Sequence, residues 1–102
     1  MRKIKTIAMK TMQLGFAEDS EKILRSLLLG QLEQMGTLHE ETLDTFVLLG
    51  YNLALLKRSD DISDLLEHLS ATKSELPHTN ALLEEAIQEL EDLLAPLVQT
   101  VG

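Results

Sequence analysis

The chain has no cysteine, no tryptophan, two prolines, two phenylalanines and one tyrosine. Without cysteine there is no disulfide framework, no thiolate nucleophile and no cysteine-based zinc site, and the default compartment is the cytoplasm. Few aromatic residues and an abundance of leucine favour helices over strands. Basic residues are also scarce: 9 Lys and Arg stand against 17 Asp and Glu, for a formal charge of −8. Nucleic-acid binders need a concentrated basic face, so the charge argues against a phosphate-backbone partner. Long apolar runs are missing as well. The longest, Phe46–Gly50 and Leu53–Leu56, fall far short of the roughly 20 residues of a membrane span. Arg2, Lys3 and Lys5 open the chain like a signal peptide, but Lys10 and Gln13 interrupt the apolar region that would have to follow, which argues against secretion.

What remains is 44% apolar and almost wholly aliphatic, enough for one domain with a modest core. Helical periodicity predicts an all-α chain of about five helices in antiparallel hairpins. Ile4, Ile7, Ala8 and Met12 mark a first helix from about Lys3 to Leu14, with Gly15 as its stop. Glu18, Asp19, Ser20 and Glu21 supply a cap and first-turn acids for a second helix carrying Ile23, Leu24, Leu27, Leu28, Leu32 and Met35 up to Gly36. Gly30 inside it costs about 1 kcal/mol relative to alanine; either the helix tolerates that or a neighbouring backbone packs closely there.

Thr37 and Glu40 have the spacing of a capping box and place the start of a third helix there, give or take a turn. Leu43, Phe46, Val47, Leu48, Leu49, Leu53, Ala54, Leu55 and Leu56 surround most of its circumference, the pattern of an element packed on several sides. It should be the centre of the core, with Phe46 and Leu49 nearly fully buried. Ser59, Asp60 and Asp61 cap a fourth helix, whose Ile62, Leu65, Leu66 and Leu69 form one narrow stripe. Pro77 closes it. Thr79 or Asn80 caps a fifth helix burying Leu83, Ala86, Ile87, Leu90, Leu93 and Leu94, which Pro96 ends or kinks. The expected organisation is one domain over 1–102: a hairpin 3–36, a hairpin 37–76, a capping helix 79–95 and a short tail 97–102.

An internal comparison at an offset of 42 residues pairs Ile4 with Phe46, Ile7 with Leu49, Ala8 with Gly50, Ile23 with Leu65, Leu24 with Leu66 and Leu27 with Leu69, consistent with two hairpins of one design. The second, with His39, Thr42 and Leu43 leading in and Leu49–Gly50 in its first helix, resembles a tetratricopeptide repeat in the longer form found in kinesin-light-chain-like arrays. The resemblance covers Leu38–Leu76 well and Lys3–Gly36 weakly. Leu53 stands where the family usually has an aromatic, Lys57 where it often has glycine and Ile62 where it favours alanine. A bulky Ile62 should hold the paired helices apart. Two architectures follow: a right-handed repeat stack, in which the fifth helix is the solvating cap, or a small α-hairpin bundle.

No motif carries chemistry. His39, His68 and His78 have neither the spacing of a helical metal pair nor an H-E-x-x-H arrangement. Glu84, Glu85, Glu89, Glu91 and Asp92 lack the loop oxygens of a calcium cage and read as a solvated face, with attraction of a basic partner as the other reading. There is no nucleophile elbow and no phosphate-cradling glycine loop. No enzyme, metal or cofactor is expected.

The tetratricopeptide resemblance implies that the first helices of successive hairpins line a concave surface. Its ligand-facing positions match Lys5, Met9, Met12, Asp44, Val47, Tyr51 and Leu55, with Arg2 and Gln13 beside them. Met and Tyr suit an adaptable peptide groove; the alternative is that these residues complete the core of a small bundle. The resemblance implies a cytoplasmic interaction module, an adaptor or small chaperone, holding a helix or peptide of another protein. A self-associating structural protein, dimerising through the third helix or the Leu97–Val101 tail, is the other function in view.

Overall fold

Amphipathic periodicity gives four α-helices in the computed structural model, which describes residues 15–98: α1 (Ala17–Gln34), α2 (Glu40–Leu55), α3 (Ser59–Glu75) and α4 (Ala81–Val98). They correspond to the second to fifth predicted helices. The predicted first helix, and with it the first half of the internal match, lies outside the described residues. No strand occurs among the described residues.

The central helix is α2. It packs on α1 and α4, and less extensively on α3, while α4 lies across both α2 and α3. α1 packs chiefly on α2. Phe46 is 2% exposed and Leu49 and Leu53 not at all, as an element surrounded on several sides requires. Around them Leu24, Ile62, Leu69, Leu83 and Leu90 close one continuous core. The result is a slab of 41 × 40 × 17 Å, two helices thick. Its radius of gyration, 13.4 Å, is close to the roughly 13 Å of a compact chain of this length.

Helix ends depart from the sequence expectations in instructive ways. α2 starts at Glu40, within a turn of the expected start, but its cap is His39 rather than Thr37, His39 Nδ1 accepting from the Glu41 N–H at 3.1 Å. Thr37 instead reaches across to α3, its Oγ1 3.2 Å from His68 Nε2, and the His68 ring stacks on Phe46 at 5.4 Å between centroids. The acids before α1 and α3 do not cap: α1 follows Phe16 and α3 follows Arg58, each without a side-chain cap, and Glu18, Asp19, Asp60 and Asp61 sit in the first turns, where they complement the dipole. Asn80 does cap α4, its Oδ1 accepting from the Leu83 N–H at 3.0 Å.

Pro96 neither ends α4 nor frees a tail at Leu97; the helix continues to Val98. Proline deprives the Asp92 carbonyl of its intrahelical donor, but Leu93, Leu94 and Leu97 all pack against the core and hold that last turn in place.

Between α2 and α3 the chain turns through Lys57, a non-glycine residue at φ 57°. The Arg58 N–H bonds the Leu53 carbonyl at 2.9 Å and the Lys57 N–H the Ala54 carbonyl at 3.0 Å, the paired bonds of a Schellman motif. Arg58 then joins an ionic cluster with Glu21, Arg25 and Asp61. Glu21 accepts from Arg58 and from Arg25 Nε at 2.7 Å, and Arg58 Nε stands 2.6 Å from Asp61. Arg25 Nη2 also lies 3.8 Å from Asp61, so the cluster ties α1 to the start of α3.

Candidate functional site

Three sides of α2 have different tasks. The row facing α1 is polar: Thr42, Thr45 and Asn52 are fully buried alongside Leu49. Asn52 Nδ2 donates to the Ala17 carbonyl at 2.9 Å, pinning the start of α1, and Thr45 Oγ1 donates to the Glu41 carbonyl at 3.0 Å. Gln31 on α1 is buried with neither amide atom partnered. The sequence reading missed this seam, because three polar residues spread over ten positions do not interrupt the apolar period of α2; only their i, i+3, i+10 spacing marked them as one row.

The row facing α4 contains Gly50. A Cβ built there would collide with Leu90 Cδ2 and come within 3.3 Å of Leu93 Cδ1. Glycine is therefore what lets α4 settle onto α2. Gly30 is the opposite case, with nothing within 4 Å of a Cβ, so no close packing explains it.

The third side faces outward, and it carries the sequence-predicted binding residues. Asp44, Val47, Tyr51 and Leu55 follow one another at helical spacing along it. Val47 is half-buried, resting on the core, whereas Tyr51 is 48% and Leu55 63% exposed. Tyr51 and Leu55 are thus not core residues of a bundle. Lys5, Met9 and Met12, the remaining predicted residues, lie outside the described residues, as do Arg2 and Gln13.

α4 runs beside this face. Leu90 and Leu93 of α4 meet α2 at Gly50, and Lys73 of α3 approaches Glu84 of α4 at 3.3 Å. All five acids of α4 are exposed. Among the described residues no group of His, Asp and Glu is arranged to hold a metal ion, and no helix is long and apolar enough to cross a membrane.

Comparison with protein-family models, with curated proteins and with solved structures found no match to this chain.

Proposed function

We propose that this chain is a non-enzymatic protein-interaction module of tetratricopeptide-like design, an adaptor or small chaperone working in the cytoplasm, and that the outward face of α2 holds a helix or peptide of another protein. The observation that carries this reading is the exposure of Tyr51 and Leu55 beside half-buried Val47 on the helix that forms the centre of the core. An aromatic and a leucine aligned along one row offer the adaptable, partly apolar contact that interfaces favour. The left-handed conformation of Lys57, at the position where the repeat family carries glycine, and the close approach at Gly50 both support the resemblance. So does the succession of α2, α3 and α4, with α4 seated across the preceding pair.

The test is capture from native lysate with the unmodified chain and with Tyr51→Ala. Interface aromatics contribute about 2 kcal/mol or more, so a specific partner should be lost from the variant while helical signal and melting temperature stay unchanged. Unfolding of Tyr51→Ala makes Tyr51 structural and removes the groove. Light scattering over a range of concentrations distinguishes the alternative, a homodimer using the same face, which requires mass to double with concentration.

A further inference from the structure

The described helices are not held equally. α4 lies on both α2 and α3, and its buried residues, Leu83, Ala86, Ile87 and Leu90, are all apolar. α1 packs chiefly on α2, and the interior there is polar as well as apolar. Leu24, Leu27 and Leu28 are buried along one face of α1, and Gln31, on the same face, is fully buried with them. Gln31 Oε1 and Nε2, together with Thr42 Oγ1 and Asn52 Oδ1 in the row of α2 that faces α1, have no hydrogen-bond partner. No buried side-chain polar atom of α3 or α4 is left so among the described residues. A buried polar group without a partner costs about 1–3 kcal/mol, which offsets part of what the leucines of α1 contribute. Separation of α1 from α2 returns all three side chains to water.

We propose that α1 is a hinged arm: it opens from α2 as one unit, turning at Gly36, while α2, α3 and α4 stay folded, and the cluster of Glu21, Arg25, Arg58 and Asp61 is the clasp that keeps it shut. Gly36 follows α1 at φ 82°, with open space where a Cβ would stand. The next residue, Thr37, is tied to His68 of α3, so a rotation at Gly36 moves α1 and leaves the loop beyond it in place. At the other end of α1, Glu21 holds Arg25 and Arg58, and both arginines reach Asp61 at the start of α3. Asn52 adds its bond to the Ala17 carbonyl. Proteins open in contiguous units of this kind at a lower free energy than global unfolding. Opening bares Leu24, Leu27 and Leu28 and the facing row of α2, a surface the closed chain covers.

The test is residue-resolved amide hydrogen exchange of the whole chain over a series of low urea concentrations. The amides of Leu24 to Gln31 should exchange as one group, with at least about tenfold less protection than those of Leu49 to Leu53 in α2 and Ile87 to Leu90 in α4. Their urea dependence should be weaker, because opening exposes less surface than unfolding. Gln31→Leu removes two unpartnered atoms and should slow the α1 group about tenfold. Glu21→Gln loosens the clasp and should speed it about tenfold, whereas Glu67→Gln, at an exposed position on α3, should change it less than about twofold. The deciding variant is Gly50→Ala. Its added methyl lies between α2 and α4 and stays there when α1 opens, so it should speed exchange of the α4 group about tenfold and leave the α1 group unchanged. Equal protection of α1, α2 and α4, or equal acceleration of α1 and α4 by Gly50→Ala, makes the described helices one cooperative unit and overturns the proposal. Protection that declines steadily toward one end of α1 is fraying and overturns it too, as does an α1 group that neither Gln31→Leu nor Glu21→Gln moves.

Discussion

Gly50→Ala adds one methyl group where Leu90 and Leu93 of α4 press against α2. On an isolated helix the change favours folding by about 1 kcal/mol, because glycine is the poorer helix former. Here the methyl meets Leu90, which is fully buried, and Leu93, which packs on the core. Leu90 has no solvent to swing into, so the added volume must be absorbed by shifting α4, at about 1–3 kcal/mol for overpacking a close-packed interior. The overpacking term is the larger, and the net effect is a destabilisation of up to about 2 kcal/mol. At 4–8 °C per kcal/mol for a domain of this size, thermal melting followed by circular dichroism resolves it readily. The collision makes a second demand. In a double-mutant cycle with Leu90→Ala, which by itself costs about 2–5 kcal/mol, the new methyl enters the space vacated by the leucine, and the pair should be less destabilising than the sum by about 0.5–3 kcal/mol. A rise in melting temperature for Gly50→Ala, or strict additivity with Leu90→Ala, refutes the account of the α2–α4 contact.

Gly30→Ala should do the reverse, stabilising by about 0.5–1 kcal/mol in the same melting assay, since its methyl meets nothing. Lys57→Gly should raise the denaturation midpoint by relieving a left-handed non-glycine residue, a gain of about 1 kcal/mol; an unchanged or lower urea midpoint counts against that turn geometry. Leu49→Ala, at a fully buried position, should cost about 2–5 kcal/mol, and unchanged chemical denaturation would show that α2 is not the centre of the core.

The periodic features of the sequence carried through to the structure, and the local ones did so less often. The apolar circumference of α2 identified the central helix because burial on several sides leaves no polar stripe. The outward row was legible from the repeat resemblance, and Tyr51 and Leu55 are exposed on it. Helix starts were harder: Thr37–Glu40 has the capping-box spacing, yet Thr37 spends its hydroxyl on His68, a residue far along the chain that no local pattern reveals. Pro96 was expected to end or kink the last helix, and the helix runs on through it to Val98, with Leu97 packed on the core. The polar seam of Thr42, Thr45 and Asn52 and the ionic cluster around Glu21 depend on which helices become neighbours, information that a one-dimensional period does not contain.

The central claim, that the outward face of α2 contacts another protein, is tested most directly by photocrosslinking in native cells from a benzophenone side chain placed at position 51, with the same group at position 91 as the control. The account predicts a crosslinked product joining the chain to a different protein from position 51 and none from position 91. A product of twice the chain's mass from position 51 assigns the face to self-association, and absence of any product from a folded position-51 variant contradicts the account.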